Sequence, residues 1–151
     1  MNTRKILLVE DGEYKSKSVL NYLESDLSCS NVDVVVSYSS AVRSLASRVY
    51  ELAIIDMSLP TFDQNQDELN NDFRALAGLD IARQISRRNI AVNFVFLTQY
   101  ESLSTADNSL SLHEINELAE EKYPDSFKGA IFYEHSGSQW KEKLKEFVEN
   151  A

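Results

Sequence analysis

Five short apolar runs alternate with amphipathic segments along this chain, and the alternation limits the possible folds more than any other feature. The runs cover 6–9, 32–36, 52–55, 91–97 and 129–133. After each run, apolar residues recur at helical spacing, as Val19, Leu23 and Leu27 do after the first. Strands that alternate with helices predict a parallel sheet covered on both faces, with right-handed crossovers. We therefore predict an α/β fold built from five βα units.

The third run leads directly into an acid. Asp56 follows the run 52–55, and Pro60 breaks the chain four residues later. An apolar run that ends at a breaker is typical of a strand buried on both faces. Ligands bind outside the carboxyl ends of such strands, so Asp56 is a candidate site residue. The position alone fits a helix cap or a turn acid equally well.

Two other predicted strands also end in polar residues. The first leads into Glu10 and Asp11, and the fourth ends on Thr98. If the first, third and fourth strands are neighbours, three carboxylates and a hydroxyl meet in one cleft. Carboxylates that close repel one another unless a cation lies among them, and oxygen ligands of this kind suit Mg²⁺. A carboxylate can also act as a nucleophile and form an aspartyl phosphate.

Composition excludes several classes of protein. The 151 residues fit one domain, and 15 Lys and Arg against 24 Asp and Glu give a net charge of −9, which disfavours nucleic-acid binding. The single cysteine, Cys29, can form neither an internal disulfide nor a cysteine pair for zinc. The first apolar run is too short for a signal peptide or a membrane span. We therefore expect a cytoplasmic protein that does not bind membranes.

Two stretches, at about 61–77 and 99–111, show neither an apolar run nor helical spacing of apolar residues, and we predict that they are long polar loops. Both would border the acidic cleft, as a cover or docking surface or as tolerated insertions. Serines mark the predicted helix starts: Ser39 or Ser40 for the second helix, Ser138 for the last. Ser111 and Glu114 fit a capping box at the start of the fourth.

Taken together, these motifs resemble the receiver domain of two-component response regulators over nearly the whole chain. The matching segments are 6–11, 54–60, 78–82, 96–98 and 129–130. The resemblance implies a doubly wound sheet of flavodoxin-like strand order, 2-1-3-4-5. It also implies a stand-alone domain over 1–151 with no output domain, either a monomer or a weak homodimer.

The resemblance assigns a role to each candidate residue. Asp56 corresponds to the phosphoacceptor, and Thr98 to the switch hydroxyl that hydrogen-bonds the phosphoryl group. Glu10, Asp11 and Asp56 would bind Mg²⁺, with the main-chain carbonyl of Met57 as a further ligand. The implied partners are a histidine kinase or phosphotransfer protein and a downstream protein target. The only implied enzymatic activity is autocatalytic phosphotransfer to the chain's own aspartate.

The chain departs from the family at the end of the fifth strand, where receivers carry a lysine that pairs with the phosphoryl oxygens. We place the equivalent position within 134–136, which reads Glu-His-Ser, and Lys128 lies at the wrong end of the strand. A protonated His135 could replace part of the lost contact, typically worth about 1.5–3 kcal/mol. Phe132 or Tyr133 is either the rotating aromatic of the switch or a core ring.

Two hypotheses follow. In the first, the chain is a receiver that accepts a phosphoryl group on Asp56 in a Mg²⁺-dependent phosphorelay. In the second, it is a pseudo-receiver, an interaction module that is not phosphorylated in the usual way because the strand-end lysine is missing. A Mg²⁺-dependent phosphohydrolase on a similar fold is disfavoured, because no separate general acid or base follows Asp56.

Overall fold

A five-stranded parallel sheet forms the centre of the molecule. The computed structural model describes residues 3–63, 72–99, 102–104, 109–134 and 136–151. The strands are β1 (Ile6–Val9), β2 (Val32–Val35), β3 (Leu52–Ile55), β4 (Asn93–Thr98) and β5 (Phe127–Phe132). They pair in the order β2-β1-β3-β4-β5, and every pair is parallel. The predicted α/β class and strand order are therefore confirmed.

Five helices cover the two faces of this sheet. They are α1 (Glu13–Asn21), α2 (Tyr38–Ser47), α3 (Ala77–Arg87), α4 (Leu112–Lys122) and α5 (Gln139–Glu149), and a π-helical turn, Tyr22–Asp26, continues α1. Alternate residues of each strand point to opposite faces, so Leu7 and Val9 pack with α2, α3 and α4, while Ile6 and Leu8 pack with α1 and α5. None of the described helices has the length and apolar content of a membrane-spanning segment.

The helix starts agree with the predictions in part. Ser111 and Glu114 form the predicted capping box of α4, with both hydrogen bonds at 3.1 Å. The prediction for α2 is wrong, because Ser37 is its N-cap and accepts a hydrogen bond from the amide of Ser40 at 3.0 Å. Ser40 completes that capping box from the third helical position. Ser138 precedes α5 as predicted, but its side chain makes no capping hydrogen bond.

A short antiparallel ribbon is found at each predicted loop, and the first ribbon begins just before its predicted loop. Leu59–Pro60 pairs with Phe73–Arg74, and Ser102–Ser104 pairs with Ser109–Ser111. Strands of two or three residues have too few side chains to show a periodic pattern, which explains why the sequence predicts only loops. The rest of these predicted loops, residues 64–71, 100–101 and 105–108, lies outside the described residues.

A buried tyrosine ties the edge strand β2 to the segment before β3. The hydroxyl of Tyr50 donates to Oδ2 of Asp33 at 2.6 Å, and the Arg48 guanidinium lies 3.2 Å from the same oxygen. This hydrogen bond lowers the pKa of the Asp33 carboxyl. Burial, together with the Asp33 carboxylate, raises the pKa of Tyr50 to about 12. A charge-assisted hydrogen bond therefore joins the edge strand to the segment before β3, in addition to the backbone pairing of β2 with β1.

Tyr50→Phe removes this bond and should lower the free energy of unfolding by about 1 kcal/mol at pH 7. Because the folded-state pKa of Asp33 is depressed, the bond stabilises the fold above pH 4 or so and loses this effect as the pH falls through that pKa. Urea unfolding of Tyr50→Phe, Asp33→Asn and the double variant measures the coupling. Additive losses would contradict this prediction.

Candidate functional site

Three acids lie together at the carboxyl edge of the sheet, as the strand order predicts. Glu10 follows β1 and Asp56 follows β3, and these strands run side by side with Val9 opposite Ile55. Glu10, Asp11 and Asp56 each offer a carboxylate oxygen, and these oxygens lie within 4.8 Å of one another. Glu10 and Asp56 are only 4% and 6% exposed, whereas Asp11 is more open to solvent.

A buried lysine, which the sequence analysis missed, completes the cluster. The ammonium of Lys15 lies 2.6 Å from Oε1 of Glu10 and 3.3 Å from Oδ1 of Asp56. It also donates to the main-chain carbonyl of Leu97 at 2.6 Å. Lys15 is 3% exposed. An ammonium has three donors, so these three acceptors satisfy it.

The sequence does contain a signal for Lys15. The residue lies in the first turn of α1, four residues after Asp11 and four residues before Val19. Residues four apart share one face of a helix, and Lys15 and Val19 are the two buried residues of α1. The helix starts beside the site, and its buried face includes this lysine. The lysine side chain is therefore expected to point toward the site.

Main-chain groups hold two of the carboxylates. The amide of Met57 donates to Oδ1 of Asp56 at 2.8 Å, and the amide of Gly12 donates to Oε2 of Glu10 at 3.0 Å. The carbonyl of Met57 accepts a hydrogen bond from the amide of Gly78 at 3.0 Å. Ser58, rather than Met57, is among the residues that line the cavity beside Asp56. The Met57 carbonyl as a metal ligand therefore stays a prediction without support from this geometry.

Crowding of the acids changes their protonation. Burial and the negative charge of Asp56 raise the pKa of Glu10 to about 7, although Lys15 opposes the change. Burial and Asp56 also raise the pKa of Asp11. When ionised, three carboxylates against one ammonium leave two negative charges in the cluster. The site therefore favours a further cation.

A cavity of about 350 Å³ opens beside the cluster. The three acids and Lys15 line it, and so do Glu13, Ser58 and Gln99. Tyr14 and Phe73 also line it and are 67% and 60% exposed. Its carboxylate donors are all hard oxygen ligands, which fit Mg²⁺ better than a softer metal. The cavity has room for a small phosphorylated group and water.

The ends of β4 and β5 lie next to the cluster. Thr98 is fully buried at the end of β4, directly after the Leu97 carbonyl that binds Lys15, and its own carbonyl accepts from the amide of Tyr133 at 2.8 Å. The ring of Tyr133 is 1% exposed, with its centroid 5.5 Å from the ammonium of Lys15 and 5.0 Å from the Trp140 ring.

These contacts correct the position assigned to the missing strand-end lysine. β5 ends at Phe132, and the next side chain, that of Tyr133, faces the cluster, whereas Glu134 and Ser136 are exposed. The described side chain at the end of β5 that faces the cluster is therefore that of Tyr133, one residue before the predicted stretch 134–136. Tyr133 packs as a core ring, and His135 lies outside the described residues.

Comparison with known proteins gives distant relatives of nearly equal length. No family model matches the chain. The Detocs response regulatory protein DtcB from Vibrio alginolyticus is 27% identical, over 96% of this chain and 99% of its own length. An uncharacterised protein, y4jR, from Sinorhizobium fredii is 23% identical, over 93% of this chain and 94% of its own.

Solved structures resemble the chain over almost its whole length. The non-phosphorylated HemR receiver domain from Leptospira biflexa gives a TM-score of 0.63 at 20% identity, covering 97% of this chain and 94% of its own. The response regulator TrrA from Thermotoga maritima, in complex with Mg²⁺ and BeF, gives a TM-score of 0.57 at 16% identity, covering 95% of this chain and 98% of its own. The resemblance predicted from the sequence is thus confirmed, and the chain has the fold of the CheY-like receiver domains of response regulators.

Proposed function

We propose that this chain is a receiver that accepts a phosphoryl group on Asp56 with the help of Mg²⁺ and signals through protein contacts. The observation that carries the proposal is the site itself: a buried aspartate at a strand end, beside two further acids and an ammonium. Two similar proteins lend support, since DtcB is a response regulatory protein and TrrA was solved with Mg²⁺ and BeF.

The chemistry requires one nucleophile. The described contacts to Asp56 from the amide of Met57 and the ammonium of Lys15 both engage Oδ1, so we assign the attack to Oδ2. This oxygen would form a bond to phosphorus while the bond from phosphorus to the donor breaks, and the electron pair leaves with the donor group. An ionised carboxylate has no proton to lose, so the transfer itself needs no general base.

Glu10, Asp11 and Asp56 are the residues that would hold Mg²⁺. The ion, when bound, would neutralise charge on the phosphoryl oxygens. The fit rests on the oxygen donors and on the two uncompensated negative charges of the ionised cluster. Thr98, fully buried at the end of β4, is the proposed switch hydroxyl.

The second candidate is a pseudo-receiver that binds partners without phosphorylation. Tyr133 at the strand end, where receivers carry a lysine, motivates it. Lys15 weakens this argument, because it brings an ammonium to Asp56 from α1. A histidine kinase or phosphotransfer protein, a downstream protein target and a cytoplasmic location stay predictions.

Asp56→Asn tests the proposal directly. With Mg²⁺ and acetyl phosphate, the wild-type protein should gain the mass of one phosphoryl group, and Asp56→Asn should gain none. Asp125→Asn, which changes an exposed aspartate at the other end of β5, is the matched control and should react as the wild type does. A wild-type protein that neither gains this mass nor binds beryllofluoride would favour the pseudo-receiver.

Binding of Mg²⁺ should depend on pH near neutrality. A proton on Glu10, whose pKa is raised to about 7, competes with the metal, so the affinity should fall as the pH drops below 7 and approach a tenfold loss per unit. In the protein without metal, the raised pKa of Glu10 also affects the free energy of unfolding. Its contribution to stability is complete below pH 4.5 or so and is lost as the pH rises through about 7.

Isothermal titration with Mg²⁺ between pH 5.5 and 8 measures this dependence. Glu10→Gln should bind more weakly and lose most of the pH dependence, because its side chain cannot titrate. An affinity that stays constant across the range in the wild-type protein would contradict the role of Glu10.

A further inference from the structure

We propose that Lys15, reaching the site from α1, supplies the cation that pairs with the phosphoryl group on Asp56. The inference rests on the proposed function and names a residue for it that the sequence motifs do not. Its basis is the position of one ammonium, 3.3 Å from Oδ1 of Asp56 and 2.6 Å from Oε1 of Glu10.

Charge balance requires such a cation. Transfer of a phosphoryl group converts the single charge of the Asp56 carboxylate into about two charges on phosphate oxygens. With Glu10 and Asp11 ionised, the site would then carry about four negative charges, of which one Mg²⁺ would balance two. Because Glu10 and Asp56 are buried, the remaining charge is costly unless a further cation lies close to it. Among the described lysine and arginine side chains, Lys15 is the one within ion-pair distance of these acids.

The contacts of Lys15 show how it could serve two states. Its bond to the carbonyl of Leu97 anchors the ammonium at the end of β4, directly before Thr98. Its bond to Glu10 is the exchangeable one, because Glu10 is also a proposed ligand of Mg²⁺. Once Glu10 binds the metal, the ammonium has a donor for a phosphoryl oxygen and keeps its anchor.

Tyr133, directly after β5, lies next to this lysine. The ring of Tyr133 lies 5.5 Å from the Lys15 ammonium, within range of a cation–π contact, and Trp140 packs against the same ring. A lysine in place of Tyr133 would bring a second ammonium into the same small volume. The aromatic strand end and the lysine on α1 therefore belong to one arrangement.

A purely structural ion pair is the competing explanation, and the two differ in what they predict for Mg²⁺. If Lys15 only maintains the site, its loss should weaken metal and phosphoryl binding together. If Lys15 pairs with the phosphoryl group and shares Glu10 with the metal, its loss should weaken phosphoryl binding alone, with Mg²⁺ affinity unchanged or higher.

Lys15→Gln tests the inference, with Lys17→Gln as the matched control. Lys17 lies on the same helix, but its side chain is 71% exposed and pairs with Glu13. Mg²⁺ affinity is measured first, and beryllofluoride affinity is then measured at saturating Mg²⁺. We expect Lys15→Gln to bind beryllofluoride at least about tenfold more weakly while keeping its Mg²⁺ affinity, and Lys17→Gln to match the wild type.

Each outcome has a distinct meaning. Equal beryllofluoride affinity in Lys15→Gln and wild type overturns the assignment of Lys15, and so does a parallel loss of Mg²⁺ affinity. Absence of any beryllofluoride binding by the wild type overturns the proposed function, and this inference with it. Recovery of binding in the double variant Lys15→Gln, Tyr133→Lys would support a site that needs one ammonium from either element.

A second measurement needs no variant at the site and covers the case in which Lys15→Gln does not fold. In wild-type protein labelled with ¹⁵N at the lysine Nζ atoms, the Lys15 signal should shift when beryllofluoride is added in the presence of Mg²⁺. The signal of Lys17, assigned from Lys17→Gln, should stay in place. A Lys15 signal that is unchanged at saturating beryllofluoride overturns the inference.

Discussion

The ionic contact between Lys15 and the acids at the ends of β1 and β3 is the interaction on which the site depends. Glu10 and Asp56 are almost closed to water, and two buried carboxylates of like charge would otherwise repel each other strongly. The ammonium lies between them and is fixed by a main-chain carbonyl of β4. Three neighbouring strands and α1 thus meet at a single charged atom.

The sheet explains why these groups can meet at all. Parallel strands place all their carboxyl ends at one edge, and the order β2-β1-β3-β4-β5 puts the three polar ends side by side. The strands themselves are buried on both faces, so β1 and β3 have little freedom to shift. A rigid sheet therefore supports a cluster of charges that would be unstable on a mobile loop.

Much of this architecture could be predicted from the sequence, because apolar runs and helical spacing report burial directly. The three acids were predicted because they follow two of the predicted strands. The parallel pairing of β1 with β3 places their carboxylates close to one another. Lys15 was missed although its spacing to Val19 places it on the buried face of α1. Its contacts with Glu10 and Asp56 could not be predicted, because they depend on how α1 packs against the sheet. The ribbons were missed for a related reason: two or three paired residues leave no periodic signal.

The origin of the ammonium on α1 has a consequence for how such proteins are recognised. Side chains from different backbone positions can bring an ammonium to the same carboxylate. The chemistry depends on the position of the ammonium and not on the position of its residue in the sequence. A search pattern that demands lysine after the last strand discards this chain at Tyr133. A pattern that accepts lysine in the first helical turn after the acidic pair keeps it, with Glu10, Asp11 and Lys15 only six residues from end to end.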